Sequence, residues 1–565
     1  MKKILYILTL SIATNLLAQK QILPRLEKIN GKTNFIVNGK PFLMLSGELH
    51  NSSAGSAHYM RPIWKQLKNN NLNTVIAPVS WELIEPVEGK FDFTLVDSMI
   101  VGARKEKLKL VVLWFGTWKN AKSTYVPEWI KRNTAKYPLM ESQGGRSLNT
   151  LSTFSENSLT ADAKAFSALM NHIKKVDSKE QTVIMMQVQN EVGILGSPRD
   201  YSQTATKAFE GQVPQELMAY LAKNKSSLYP GLLKVWEANG SKMNGTWEEV
   251  FGKGEKYKGE DWKNNYSFYT EEIFMAWNLA KYIGKIAQKG KEQYALPMFA
   301  NGWIKQPKST NPGRYPSGGP LPQVLDIWRA AAPAIDLIAA DIYAVEEFDW
   351  VCKEFSLSQN PLFIPETTPD LGGSARALYA FGKYHAIGYA PFGIDGNGLF
   401  NTADLKDVSL KKVYDCLKNI SSEISKYRGT ANLTGLYLGE GDTDTSVEMG
   451  DFAVYMSRFS SAGLFKKTGG RFGIAGEEDR SPAGLVVIKL NKDEFLVAGG
   501  VGGIQVTVSG SKTNTAFSDY ISVDEITFEK GKMRSHSLNG DETALGGAII
   551  KPGEVKIFKI KVYNY

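Results

Sequence analysis

Two glutamates, Glu191 and Glu366, each follow an apolar segment with the pattern of a buried strand. A pair of facing carboxyl groups can hydrolyse a glycosidic bond, because one protonates the leaving oxygen while the other attacks the sugar carbon or activates a water. Carboxyl groups about 5–5.5 Å apart give retention through a covalent intermediate, whereas about 6.5–9.5 Å leaves room for a water and gives inversion. This chemistry requires a fold that brings the two glutamates face to face.

Eight short apolar segments alternate with helical patterns between about residues 41 and 400. Most are continuous apolar runs, as expected for strands buried on both faces of a parallel sheet. Apolar residues at helical spacing predict helices over 60–69 and 161–176. The alternation predicts an α/β fold, a (β/α)8 TIM barrel. The predicted strands are 42–46, 74–78, 109–115, 182–189, 297–301, 337–341, 361–365 and 387–392.

Functional side chains of such barrels collect where the strands end and the following loops begin. Glu191 follows the fourth predicted strand and Glu366 the seventh, so the two can face each other across the mouth of the barrel. Either glutamate alone could be a neighbour of a helix cap or a surface residue. The joint pattern, with Asn190 directly before Glu191, favours a catalytic pair. Ionised Glu366 would raise the pKa of Glu191 by charge repulsion and help to keep it protonated.

The predicted organisation has four parts. Residues 1–18 resemble a secretory signal, because two lysines precede an apolar run that ends at Ala18; the alternative is an uncleaved anchor. The barrel covers 19–405, with an insertion at about 195–290, and a helical bridge covers 406–430. Short alternating segments separated by Gly-Gly turns predict an all-β sandwich over 431–565. The expected location is secreted or periplasmic.

Composition restricts the expected partners. The formal net charge of +9 is spread over 565 residues without a basic block, which argues against nucleic-acid binding. No later segment is long and apolar enough to span a membrane. His50 and His58 have no third ligand at a suitable spacing, so we expect neither a metal nor another cofactor. Cys352 and Cys416 could form one disulfide, and nothing in the sequence specifies the oligomeric state.

Several further side chains follow predicted strands and are candidates for contacting a carbohydrate. Glu48, His50 and Asn51 follow the first strand and could bind sugar hydroxyls, although an ordinary polar turn would look the same. An aromatic ring after a strand can stack on a sugar or pack in the core, and Trp81 and Trp303 are the stacking candidates. Asn120, which follows the third strand, is a further candidate contact.

Longer motifs resemble a known family. Asn190-Glu191 and Glu366 at their two strands are similar to the layout of the clan of retaining (β/α)8 glycosidases. Residues 72–93, LNTVIAPVSWELIEPVEGKFDF, resemble the second-strand region of β-galactosidases of glycoside hydrolase families 35 and 42. GTWKN at 116–120, YVPEW at 125–129 and QNEVG at 189–193 resemble a bacterial branch of family 35, which the C-terminal sandwich also fits.

The resemblance implies a retaining exo-β-galactosidase that needs no cofactor and acts on oligosaccharides or plant-type polysaccharide side chains. Glu191 would be the acid/base and Glu366 the nucleophile. Asn190 would bind the hydroxyl next to the anomeric carbon, and Tyr343 would orient Glu366. The chain departs from the family at 116–120, where many members have a Pro-Gly-Pro-Tyr stretch and then Glu-Trp that hold galactose. A β-glucosidase or β-mannosidase, a transglycosylase and a non-catalytic carbohydrate-binding barrel remain alternatives.

Overall fold

The computed structural model describes residues 22–254, 263, 270–396, 409–459, 479–511, 517–539, 543 and 547–565. The predicted signal at 1–18 and the start of the predicted bridge at 406–408 lie outside these residues.

Each of the eight predicted strands contributes to one parallel sheet that closes into a barrel, so the predicted TIM barrel is confirmed. The seventh strand is divided at Pro365, which has no backbone N–H to donate to a ladder. Its first part pairs with the eighth strand and its second part with the sixth, which completes the ring. In barrel order the strands are β4 (Met44–Glu48), β5 (Thr74–Ser80), β6 (Lys109–Lys119), β9 (Val183–Asn190), β10 (Met298–Trp303), β11 (Leu337–Ile342), β12 and β13 (Phe363–Ile364 and Glu366–Thr367) and β14 (Gly388–Tyr389).

Helices surround the barrel, and α1 (Ala57–Asn69) and α5 (Glu156–Asp177) contain the two helical stretches that the sequence predicts. The end of the predicted insertion forms α10 (Thr270–Gln293), which packs against α5 as a barrel helix. A small hairpin, β7 (Leu139–Glu141) and β8 (Ser147–Leu151), precedes α5. The helices are α1 (Ala57–Asn69), α2 (Trp81–Ile84), α3 (Thr94–Lys105), α4 (Glu128–Lys131), α5 (Glu156–Asp177), α6 (Gln203–Phe209), α7 (Gln215–Lys223), α8 (Pro230–Ala238), α9 (Trp247–Phe251), α10 (Thr270–Gln293), α11 (Leu325–Ala331), α12 (Phe348–Phe355) and α13 (Leu371–Lys383).

A three-stranded sheet that the sequence analysis missed precedes the barrel: β1 (Arg25–Ile29), β2 (Lys32–Val37) and β3 (Lys40–Pro41). Its Phe35 and Val37 join the apolar cluster formed by side chains near the beginnings of the barrel strands, such as Met44 and Phe363. This apolar filling occupies the end of the barrel opposite the predicted site.

The C-terminal part is a sandwich of two antiparallel sheets, as predicted. Side chains of β18 (Ala483–Lys489), an inner strand of the six-stranded sheet, alternate between two faces. Leu485 and Val487 face the four-stranded sheet, and Val486 and Ile488 join the core that contains α13 of the barrel. The bridge contains α14 (Ser409–Asn419) and α15 (Ser421–Tyr427). The strands are β15 (Leu433–Leu438), β16 (Asp444–Met449), β17 (Phe452–Arg458), β18 (Ala483–Lys489), β19 (Glu494–Val501), β20 (Ile504–Gly510), β21 (Ser518–Glu529), β22 (Lys532–Leu538), β23 (Ala548–Ile550) and β24 (Val555–Asn564).

Cys352 and Cys416 are both buried and both free, so the disulfide considered from the sequence does not form. Among the described residues, the helices are all too short or too polar to cross a lipid bilayer.

Candidate active site

The end of β6 forms a wide bulge against β9. Trp114 pairs with Val188 and Lys119 with Asn190, so the four residues 115–118 oppose the single residue Gln189. The buried carboxylate of Asp162 holds the bulge: it accepts hydrogen bonds from Trp114 Nε1 at 2.8 Å, Thr117 N at 3.0 Å and Gln189 Nε2 at 2.7 Å. The bulge moves Lys119 next to Asn190 at the mouth of the barrel.

The backbone at the end of β9 is strained. Gln189 and Glu191 have φ angles of 68° and 44°, a left-handed conformation that non-glycine residues adopt at a cost and that clusters at functional sites. Neighbouring elements hold it in place: Glu191 N donates to Asn301 Oδ1 at 3.0 Å, and Ala121 N donates to Glu191 O at 2.9 Å. The strain aims the side chains of Asn190 and Glu191 at the mouth of the barrel.

Glu366 accepts hydrogen bonds from side chains on or directly after three different barrel strands. Asn190 Nδ2 donates to its Oε1 at 2.9 Å, and Asn301 Nδ2 approaches the same oxygen at 3.4 Å. Tyr343 OH donates to its Oε2 at 2.9 Å, which is the contact that the resemblance implied. Hydrogen-bond donors on both oxygens hold the carboxyl group of Glu366 in one orientation.

Glu191 lies close to Glu366. Single oxygens of Glu191, Glu366 and Asp341 all lie within 4.8 Å of one another. Burial, together with the negative charge of Glu366, raises the pKa of Glu191 to about 7. Asn120 Nδ2 donates a hydrogen bond to Glu191 Oε2. A glutamate with a raised pKa that faces a second carboxyl group is what a pair of acid/base and nucleophilic roles requires.

Three polar residues of the site were not predicted from the sequence. Asn301 and Asp341 are the last residues of two predicted strands, so the signal that selected Glu191 would have found them. Lys119 was missed because β6 runs four residues further than predicted. Asn301 Nδ2 donates to Asp341 Oδ2 at 2.6 Å, and Asp341 also shares a hydrogen bond with Glu191. That bond requires a proton on one of the two carboxyl groups, and burial followed by the charge of Glu366 raises the pKa of Asp341 well above its usual value.

Glu48, predicted from its place after the first strand, points into the same cluster. It is fully buried, and neither of its carboxylate oxygens has a hydrogen-bond partner among the described residues. Burial first, and then the charge of Glu366, raise its pKa well above the usual value. A buried carboxyl group without hydrogen-bond partners destabilises the folded state. Such a group is expected where a bound ligand supplies the missing hydrogen bonds.

The other residues that were predicted to contact the sugar lie in different surroundings. His50 Nδ1 lies 2.9 Å from Asp395 Oδ1, which anchors the ring at the rim. Asn51 lines a separate cavity of about 190 Å³ whose lining does not include Glu191 or Glu366. Trp303 is half-buried and pairs with Asp341 in the ladder, so it stands at the correct end of the barrel. Its stacking on a sugar stays a prediction.

The predicted stacking role of Trp81 requires correction. Its ring is fully buried and packs against Trp114 and Trp129, and its Nε1 donates to Glu85 Oε2 at 2.7 Å. The residue begins α2 directly after β5, and this helix turns the ring towards the core between strands and helices. Trp81 is therefore unavailable to a sugar.

The oxygens of Glu191, Asp341 and Glu366 are close enough to share one cation. Each of these carboxyl groups already has a hydrogen-bond donor from a neighbouring side chain, so the geometry does not require an ion.

Two family models match the chain. "Glycosyl hydrolases family 35" matches residues 34–295, and "Domain of unknown function (DUF5597)" matches residues 410–550. The first match contains the four segments on which the resemblance was based, 72–93, 116–120, 125–129 and 189–193, the last of which includes Glu191. The second match covers most of the bridge and sandwich. Residues 34–295 are therefore similar to glycosyl hydrolases family 35, the family that the motifs resemble.

Curated relatives include proteins named as β-galactosidases. The β-galactosidase of Xanthomonas manihotis is 30% identical over 176 residues, which cover 30% of this chain and 27% of that protein. Beta-galactosidase-1-like protein 2 of Homo sapiens is 26% identical over 203 residues, 36% of this chain and 30% of that protein. The chain thus matches less than a third of the length of these relatives.

Solved structures that align with this chain include the β-galactosidase of Bacillus circulans sp. alkalophilus. Its alignment covers 92% of this chain and 99% of that one at 11% identity, with a TM-score of 0.47. The β-galactosidase of Marinomonas ef1 aligns over 67% of this chain and 60% of that one, at 11% identity and a TM-score of 0.41.

Proposed function

We propose that this chain is a retaining exo-β-galactosidase that uses Glu366 as nucleophile and Glu191 as acid/base. One observation carries the proposal: Glu191 directly follows β9, Glu366 begins β13, and their carboxyl groups have oxygens within 4.8 Å of each other. This separation supports retention, because an inverting pair needs a wider gap for the attacking water. The match to family 35 over residues 34–295 and the names of the relatives support galactose as the sugar.

The reaction proceeds in two displacements. Glu366, oriented by Tyr343 and Asn190, attacks the anomeric carbon and forms a glycosyl ester, while Glu191 gives its proton to the leaving oxygen. Glu191 then takes a proton from a water molecule, and the resulting hydroxide attacks the anomeric carbon and releases Glu366. A pKa of about 7 suits Glu191 to both steps, since it gives and takes a proton near neutral pH.

Substrate contacts follow from the unsatisfied polar groups. Asn190 Nδ2 has a second hydrogen available for the sugar hydroxyl next to the anomeric carbon. Glu48, with no partner of its own, would accept a hydrogen bond from a second sugar hydroxyl. Asn120 contacts Glu191 and lies where it can also contact the leaving group.

The first test is an assay of the purified protein against aryl β-glycosides of galactose, glucose and mannose. We expect turnover of the galactoside, with the β-anomer of the product appearing first in proton NMR spectra. Preference for the glucoside or mannoside would contradict the proposed specificity for galactose but not the proposed mechanism. Transfer to an added acceptor sugar would identify a transglycosylase. Absence of turnover on every glycoside would contradict the proposed function and leave a carbohydrate-binding barrel.

The second test concerns the nucleophile. Glu366→Ala should lower kcat by at least about 10⁴-fold, because the covalent step is lost. Added azide should restore part of the turnover as the glycosyl azide of inverted configuration. Glu292→Ala, at an exposed position near the end of α10, is the control and should leave kcat unchanged. Unchanged activity of Glu366→Ala would remove Glu366 from the mechanism.

A further inference from the structure

Lys119 is a buried lysine among carboxyl groups. Its residue is 7% exposed, and its Nζ lies 5.2 Å from the centre of the Phe115 ring. Burial disfavours its charge, but the negative charges of Glu366, Glu191 and Glu48 outweigh that effect and raise its pKa above the ordinary value. The positively charged form of Lys119 is therefore favoured at this position.

The hydrogen bond that Lys119 makes has a defined direction. Its Nζ lies 2.9 Å from Asn190 Oδ1, and Asn190 Nδ2 lies 2.9 Å from Glu366 Oε1. An ammonium group can only donate and a carboxylate can only accept, so both neighbours select the same orientation of the amide. If the amide rotated by half a turn, its NH2 group would face the ammonium and its oxygen would face the carboxylate, and both contacts would become repulsive.

We propose that Lys119 is a positioning residue for the proposed hydrolysis: it fixes the amide of Asn190 so that the NH2 group faces Glu366 and the sugar hydroxyl next to the anomeric carbon. The inference rests on the proposed function, and it concerns a residue in the stretch where this chain departs from the usual family pattern. Lys119 acts through Asn190 and does not itself touch the reacting atoms.

The role has a consequence that a purely structural role lacks. The hydrogen bond to this hydroxyl strengthens in the transition state, so its loss lowers kcat more than it raises KM. A substrate without the hydroxyl, a 2-deoxy glycoside, never makes the bond. Removal of Lys119 should therefore lower kcat/KM strongly for the substrate that has the 2-hydroxyl and only slightly for the 2-deoxy substrate.

The experiment compares Lys119→Met, Lys119→Gln and the wild-type protein on an aryl β-glycoside and its 2-deoxy analogue. Lys119→Met should lower kcat/KM by about 100-fold on the first substrate, the size of a lost transition-state donor, and by less than about fivefold on the second. Lys119→Gln, which retains a neutral donor, should lose less than Lys119→Met. Lys122→Met, at an exposed lysine three residues away, is the matched control and should match wild type on both substrates.

The same substitution in an Asn190→Ala variant tests whether Lys119 acts through Asn190. In Asn190→Ala, the further change Lys119→Met should lower kcat/KM by less than about threefold, because the residue through which Lys119 acts is absent. Equal losses on both substrates, or independent losses in the double variant, would overturn the inference. If Lys119→Met does not fold, the same comparison is made with Lys119→Gln, for which a loss confined to the 2-hydroxy substrate is the supporting result. Inactivity of the wild-type protein on every glycoside would contradict the proposed function instead.

Discussion

Glu191 determines the pH range in which the proposed hydrolysis can start. Its pKa is raised to about 7 by burial and by the charge of Glu366, and the acid step requires the protonated form. We therefore expect kcat/KM to fall as pH rises through about 7, by about tenfold per pH unit above it, as for loss of one essential proton. A pH profile with an aryl glycoside that has a poor leaving group measures this limb.

Glu191→Gln provides the control for that profile. The variant cannot ionise at this position, so its activity on a substrate with a good leaving group should show no loss near pH 7. A limb that persists unchanged in Glu191→Gln would assign the titration to another group.

Replacement of Glu48 should make the protein more stable and less active. It is fully buried and without hydrogen-bond partners among the described residues, so replacing it with an apolar side chain of similar size removes an unsatisfied group. We expect Glu48→Leu to raise the free energy of unfolding by about 1–3 kcal/mol and to lower kcat/KM by at least about tenfold. Denaturant titration and kinetics measure the two effects. A less stable but fully active variant would show that Glu48 serves the fold and not the substrate.

At the scale of elements, the bulge at the end of β6 positions both Lys119 and Asn190. A Cβ at Gly116 would lie 2.8 Å from Gln189 Nε2 and 2.9 Å from Asp162 Oδ1, which are the groups that hold the bulge. Gly116→Ala should lower the free energy of unfolding by about 1–3 kcal/mol and also lower kcat, because the displaced bulge moves the site. Thermal unfolding and kinetics test this.

Gly144→Ala is the matched control for the bulge. A Cβ at Gly144 would meet nothing within 4 Å, so this variant should retain both stability and activity. Loss of stability in Gly116→Ala without any loss of kcat would mean that the bulge is not needed to position the site.

At the scale of the whole molecule, the barrel and the sandwich are joined by a shared core. Gly382 of α13 approaches β15 so closely that a Cβ would lie 2.5 Å from Thr434 O. We expect a single cooperative transition in calorimetry of the wild-type protein, because the two parts bury a continuous apolar surface. Gly382→Ala should lower the midpoint temperature of that transition by several degrees, or divide the transition in two.

Gly441→Ala is the control at this scale, since a Cβ there would meet nothing within 4 Å. Two separate transitions in the wild-type protein would show that the sandwich folds independently of the barrel.

The sequence by itself determined the barrel and its catalytic candidates. Continuous apolar segments alternating with helical patterns are local signals, and the chain order of a parallel barrel fixes which strand ends become neighbours. Counting the predicted strands along the chain therefore placed Glu191 after the fourth strand and Glu366 after the seventh. Asn190 was found at the same strand end as Glu191, whereas Tyr343 entered through a resemblance, and the structure places both against Glu366.

Only the tertiary structure decided how the remaining side chains divide between core and site. Trp81 and Trp303 look alike in the sequence, but a helical turn directs one ring into the core while the other stands half-buried at the mouth. The left-handed backbone of Glu191 and the extension of β6 to Lys119 depend on hydrogen bonds from residues distant in the chain, such as Asp162. Such contacts have no local periodicity, because their energy comes from packing between elements and not from the segment itself.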